Sequence, residues 1–296
     1  MKRQSCFTGL DKTFTEWNLS KIAILPVPYD KTSSWIKGSD KGPQAIIEAS
    51  PILEFYDIET DSEVYKQGIY TCEPLKPDSL PEKMAAQVEN KVLDLLDSDK
   101  FVVTLGGEHS VSIGSAKAHS KRFEDFCVLQ LDAHSDLRDE YNNSRYNHAC
   151  VMARIKEVCP IVQVGIRSIS AKEKAALDKD NIFYAKDIVG SDGWINKVVE
   201  RLSPNVYVTI DLDVFDSSIM PSTGTPQPGG LTWYQVTGLL KEVAAKKNVR
   251  GFDVVELCPN PANKAPDFLA AKLVYKFLSY IYKGQSPKGT VPTIDN

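Results

Sequence analysis

The stretch Phe126-Cys-Val-Leu-Gln-Leu131 is a short apolar run that stops abruptly at Asp132-Ala-His-Ser-Asp136. Such a run reads as a buried strand. Alternate residues of a strand share a face, so Asp132, His134 and Asp136 leave its end pointing into one space. Taken alone, D-x-H-x-D is a modest signal, because acidic residues gather in loops after strands anyway.

The same form recurs along the chain. Residues 21–27, 101–105, 161–166, 181–184, 206–210 and 251–257 are further short β-favouring runs. Helical spacing intervenes: Met84, Val88, Val92, Leu95 and Leu96 make one face over 81–97, and Trp194, Ile195, Val198, Val199 and Leu202 another over 194–202. Pro43 is placed to open a short helix through Ala49, and Thr232-Trp-Tyr-Gln235 fits a capping box that starts a helix to about Lys246. Further helices are predicted up to Phe123, up to Val158, and over 268–282. Residues 1–20 read as irregular and 284–296 as a mobile tail. Strand and helix alternate without repeat or linker, which predicts one domain over 1–296: a three-layer α/β/α sandwich with a mainly parallel central sheet.

Composition narrows the function classes. The chain has 296 residues, 42% hydrophobic and 25% charged, as a water-soluble globular protein does. A net charge of -4 without a basic run gives no footprint for nucleic acid or an anionic membrane surface. No signal-like apolar segment follows the N-terminus and no stretch approaches a membrane span. Six cysteines are scattered without a C-x-x-C pair, which suits reduced thiols in a cytoplasm.

In parallel α/β sheets, ligands bind beyond the carboxyl ends of the strands. His109, Asp132, His134, Asp136, Asp211, Asp213 and Glu256 all fall at or just past such ends. His109 and His148 also suit helix caps, but the coincidence over four strand ends points to a site. So many carboxylates cannot sit together ionised without cations. With no cysteine among them, Mn²⁺ fits best, and Zn²⁺, Fe²⁺, Co²⁺ or Ni²⁺ are possible. Six ligands are too many for one ion that keeps a water, whereas two ions ~3.5 Å apart use them all and activate a shared water. Metal-assisted hydrolysis is the expected reaction class.

Five ordered motifs carry a resemblance: Gly106-Gly-Glu-His-Ser110, Asp132-Ala-His-Ser-Asp136, Asp211-Leu-Asp213, Thr223-Gly-Thr-Pro-Gln-Pro-Gly-Gly-Leu231 and Gly251-Phe-Asp-Val-Val-Glu256. Together they resemble the ureohydrolase family of arginases and agmatinases, from about Pro26 to the last strand. The resemblance implies an arginase-like fold, two Mn²⁺ per subunit, trimers or hexamers, and hydrolysis of a guanidino group to urea and an amine. It implies that His109 and Asp136 bind the first metal, His134 and Asp213 the second, and that Asp132 and Asp211 bridge both. His148 then matches a proton shuttle and Glu256 the acid that grips the guanidinium, with Asp136 counted among the catalytic groups as well. Glu256, Asn147, Arg145 and Thr225 are expected around the substrate.

The loop Asp136-Leu-Arg-Asp-Glu-Tyr141 and Tyr146-Asn-His-Ala149 look more like agmatinases than arginases, so agmatine is the expected substrate. Arg138 and Arg145 are departures that would welcome an acidic tail such as guanidinobutyrate, and Gln227 stands where many agmatinases have Glu. Arginase activity and a non-catalytic metal-binding role are the other readings. A nucleotide-binding protein is disfavoured, since neither G-x-G-x-x-G nor G-x-x-x-x-G-K-[ST] occurs.

Overall fold

The computed structural model describes residues 6–285; most of the expected tail, 286–296, lies outside the described residues. The strands are β1 (Ile22–Val27), β2 (Ile69–Thr71), β3 (Phe101–Gly106), β4 (Phe126–Leu131), β5 (Ile161–Ile166), β6 (Ile182–Tyr184), β7 (Asn205–Asp211) and β8 (Asn248–Val255). They form one sheet in the order β2-β1-β3-β8-β7-β4-β5-β6, and every neighbouring pair is parallel. The helices are α1 (Lys12–Thr15), α2 (Gly42–Ala49), α3 (Pro81–Asp97), α4 (Val111–Arg122), α5 (Val151–Ile155), α6 (Ala185–Ile188), α7 (Trp194–Arg201), α8 (Trp233–Lys246) and α9 (Ala265–Ile281).

Strand periodicity sorts the core into layers. On β4, Cys127, Leu129 and Leu131 join a cluster with Val198, Leu240 and Phe277 of α7, α8 and α9. Phe126 and Val128, one residue out of phase, pack with Ile113, Met152 and Ile155 of α4 and α5. Ala23 and Leu25 of β1 face Met84, Val88 and Val92 of α3 in the same way, while Ile22 and Ile24 face the other side. Each fully buried aliphatic side chain contributes ~1.5–3 kcal/mol, which holds the three layers together. The capping box forms as expected, Thr232 accepting from the Gln235 N–H while the Gln235 side chain returns to Thr232 N–H.

Three expectations need correction. The segment 1–20 is not wholly irregular: Asp11 caps α1, and Phe7 and Phe14 are buried, Phe14 meeting Tyr65 edge-on at 4.9 Å. The three-residue edge strand β2 falls outside the expected strands. The helix expected through Val158 ends at Ile155, after a 3₁₀ turn over His148–Cys150.

The chain leaves β3 and crosses to β4, skipping the two central places that β7 and β8 fill later. The carboxyl ends of these four neighbouring strands therefore open onto one crevice, the switch point at which such sheets bind ligands. Gly107 shows how closely the crevice floor is packed. A Cβ there would stand 2.0 Å from the Tyr29 carbonyl oxygen, which accepts the Glu108 N–H at 2.8 Å.

Candidate metal centre

The six expected ligands come together at this crevice. His109 Nδ1 lies 3.1 Å from Asp132 Oδ2, 3.0 Å from Asp136 Oδ2 and 3.5 Å from Asp211 Oδ2. His134 Nδ1 lies 2.9 Å from Asp213 Oδ2 and 3.6 Å from Asp132 Oδ1. Two groups of convergent donors result, His109–Asp132–Asp211 and Asp132–His134–Asp213, and they share Asp132. Asp136 and Glu256 both have positive φ, 50° and 68°, a conformation side chains adopt at a cost and one typical of functional sites.

Hydrogen bonds outside the cage decide which atoms face inward. Thr209 donates its hydroxyl to Asp253 Oδ1 at 2.7 Å, so it accepts from His109 Nε2 at 2.9 Å. Tyr207 donates to the other Asp253 oxygen at 2.7 Å, fixing that carboxylate. The proton of His109 is thereby placed on Nε2 and its Nδ1 lone pair faces the three carboxylates. That buried Nδ1 has no hydrogen-bond partner. A lone pair aimed at anions needs a cation, and the outer hydrogen bond is the kind that orients a metal-ligating imidazole.

The neighbouring carboxylates make the same point. Burial and the charge of Asp132 push Asp136 up to about 7, and burial with Asp213 and Asp132 raises Asp211 well above the usual carboxylate range. These anions compensate one another poorly without external positive charge. Histidine nitrogen, carboxylate oxygen and no sulfur suit two divalent ions of hard to intermediate character. Gln130 steadies the shared residue, donating to Asp132 Oδ2 at 2.7 Å, and is itself held by Gln163 at 2.6 Å. Neither glutamine was flagged by the sequence. Their signal was a polar residue in phase with Asp132 inside an apolar strand, and in β5 beside it.

A cavity of about 250 Å³ opens onto this centre. His134, Asp136, Asp211, Glu256, His148 and Thr225 line it, as expected, together with Arg138, Tyr141, Ser168, Ser170 and Glu173. Glu256 Oε1 accepts the His109 N–H at 2.8 Å. His148 is anchored through its backbone, whose N–H is accepted by Thr32 Oγ1 at 2.9 Å, and Thr32 donates in turn to the buried Glu108 at 2.8 Å. The His148 Nε2 is buried without a partner. Burial above all pushes that imidazole down to about 4.

Two expected substrate contacts are not brought to the cavity. Asn147 is buried as the cap of the 3₁₀ turn, its Oδ1 accepting from Ala149 N–H at 3.0 Å. Arg145 sits on the surface, paired with Asp139 at 3.0 Å and Glu157 at 3.1 Å. Gln227 also stays outside the lining; its backbone carbonyl accepts from Arg167, which ties the 221–230 loop to the Asp213 carbonyl at 2.6 Å. Sequence reasoning missed Glu173 as a wall residue, since it lies seven residues past β5 in a stretch without period. Burial opposes its ionisation, but hydrogen bonds from Ser170 and Ser135 overcome that and hold it below the usual range.

Known proteins are similar to this chain along most of its length. The arginase family's profile matches residues 20–279. An N(1)-aminopropylagmatine ureohydrolase of Synechocystis sp. is 36% identical over 288 residues, 94% of either chain. An agmatinase of Pyrococcus horikoshii is 34% identical over 85% of this chain and 89% of its own. The crystal structure of agmatine ureohydrolase of Thermoplasma volcanium superposes with a TM-score of 0.84 at 30% identity, covering 95% of both chains. With the family's profile spanning the whole sheet and a cage of histidine and aspartate at its switch point, the chain belongs to the arginase family.

Proposed function

We propose that this protein hydrolyses N(1)-aminopropylagmatine to urea and the corresponding polyamine. The observation that carries the reading is the Synechocystis relative of that name, matched over 94% of both chains. Agmatine itself is the second reading, favoured by the Pyrococcus relative and by the Asp136–Tyr141 and Tyr146–Ala149 stretches. His109, Asp132, Asp136 and Asp211 would hold one Mn²⁺, and His134, Asp132, Asp211 and Asp213 the other. Such a pair supplies Lewis acidity and a water of lowered pKa.

The chain's own residues do the rest. Glu256 spends one oxygen on the His109 N–H, and its other oxygen, Oε2, faces Gly224 across a 3.6 Å gap to where a Cβ would be. A planar guanidinium is oriented there by charge-assisted hydrogen bonds. His148, neutral at pH 7 and with a free Nε2, takes up a proton and returns it to the leaving amine. Trimers or hexamers in a cytoplasm complete the reading.

Urea release from N(1)-aminopropylagmatine, agmatine, arginine and guanidinobutyrate, measured with Mn²⁺ and with metal content determined, tests it. The aminopropyl compound is expected to give the highest kcat/KM. A higher value for agmatine selects the second reading, and one for arginine or guanidinobutyrate defeats both.

A further inference from the structure

One wall of the cavity is built to recognise a cation, and it holds one of the protein's own. Arg138 and Tyr141 come from the loop after β4 and Glu173 from the segment after β5; all three line the cavity. The Arg138 guanidinium lies over the Tyr141 ring at 4.3 Å, and its Nε is 3.6 Å from Glu173 Oε2. That distance is a loose ion pair rather than a hydrogen bond. Glu173 meanwhile is almost fully buried, its other contacts being the Ser135 hydroxyl at 2.7 Å, the Leu137 N–H at 3.2 Å and the Ser170 N–H at 2.8 Å. A carboxylate fixed by three donors, holding a cation that lies on an aromatic face, is a receptor for an ammonium group.

Strand order sets the span. Glu256 follows β8, and the Arg138 and Glu173 wall belongs to β4 and β5, two to three places along the sheet. At about 4.8 Å per strand spacing that is roughly 10–14 Å. An extended chain advances about 1.25 Å per bond, given bonds near 1.5 Å. The six bonds from guanidinium carbon to the ammonium of agmatine cover roughly 7–8 Å, and the ten bonds in the aminopropyl derivative roughly 12 Å. With a contact of ~3 Å to the carboxylate at either end, both amines reach across, the longer one with slack.

We propose that Glu173 and the Tyr141 ring form the subsite for the terminal ammonium of the substrate tail, and that Arg138 is a displaceable internal cation filling it until the tail arrives. This rests on the amine-tailed substrate proposed above. Arg138 thereby acts as a specificity residue through competition: a cationic tail replaces it at Glu173 and Tyr141, whereas an uncharged tail gains nothing by doing so.

The test compares N(1)-aminopropylagmatine with butylguanidine, whose tail is uncharged, in Arg138→Gln, Arg138→Lys and Tyr141→Leu enzymes. In Arg138→Gln the KM for the aminopropyl substrate falls about threefold relative to that for butylguanidine, the worth of a half-exposed ion pair. Arg138→Lys restores the wild-type ratio, and Tyr141→Leu shifts it the opposite way. A ratio unmoved by Arg138→Gln, or a rise in KM for the aminopropyl substrate, overturns the proposal. Calorimetric binding of spermidine, which carries an aminopropyl tail without a guanidine, separates this from failure of the substrate reading. If Arg138→Gln tightens spermidine about threefold, the subsite stands whatever compound yields urea; if spermidine binding is unchanged, the subsite is wrong even when urea is released.

Discussion

Among the described residues, a charge cluster under α9 and the cluster at the crevice are balanced in opposite ways. Beneath α9, Lys276 reaches Asp57 at 2.9 Å and Glu59 at 2.8 Å, while Tyr280 and Lys241 complete the Glu59 carboxylate at 3.0 and 3.3 Å. Asp57 also accepts the N–H groups of Glu59 and Thr60, both at 3.0 Å. That cluster carries its own counter-charge and closes a segment against the helix. At the crevice, Asp132, Asp136, Asp211, Asp213 and Glu256 face two imidazoles, and His109 presents a bare lone pair to three of the carboxylates. A buried cluster compensated from within is structural; one left short of positive charge is waiting for ions from solution.

Removing a single charge from each cluster should therefore have opposite consequences. Asp132→Asn is expected to abolish metal binding and urea release together, by more than the ~100-fold typical of outer-shell changes, because Asp132 belongs to both donor groups. Added Mn²⁺ should raise its melting temperature less than that of wild type. Elemental analysis and thermal melts check this, and full metal retention would remove Asp132 from the centre. His148→Asn should keep both metals while kcat falls about 10²–10⁴-fold, the range for a lost proton carrier. An undiminished kcat would end the shuttle role.

On the other side, Lys276→Met leaves Asp57 buried without its cation and should cost ~3–5 kcal/mol in denaturant unfolding. Turnover per folded, metal-loaded molecule should not change. Smallest is the pH response of Glu59. Its hydrogen bond to Lys276 overcomes burial and holds the carboxyl below its ordinary 4.5. With the folded value depressed, its contribution is present above 4.5 and fades as pH falls through the lower folded value. Urea denaturation of wild type and Glu59→Gln from pH 7 to pH 3 should give curves that differ by under ~1 kcal/mol at neutrality, after solvent screening, and converge in acid. Curves that diverge as pH falls would reverse the sign assigned to Glu59.

The difference between the clusters was half legible in the sequence. Asp132, His134 and Asp136 recur at intervals of two past an apolar run, and Asp211 and Asp213 repeat that spacing, so five of the six ligands follow strand periodicity, while His109 stands out only by falling at another strand end. Asp57, Glu59 and Lys276 have no such rhythm; they are brought together across more than 200 residues when α9 packs on the sheet. Arg145 and Asn147 show the converse error. The family resemblance suggested substrate contacts for both, but residues of one loop need not share a direction, and one turned to solvent while the other became a cap.

What the sequence by itself determined was the alternation of buried strands and amphipathic helices, and the positions at which chemistry-bearing residues leave strand ends. Both follow from local geometry, where a period of two or 3.6 fixes the face each side chain takes. The tertiary structure alone decided that β3, β8, β7 and β4 stand side by side, which turns four separate strand ends into one cage. It also decided that Thr209 and Asp253 hold the proton of His109 on the outer nitrogen, and that Glu173 and Tyr141 share a wall with Arg138. These are contacts between residues far apart in the chain. No local period encodes them, because their partners are chosen by strand order and by which loops close over the same edge.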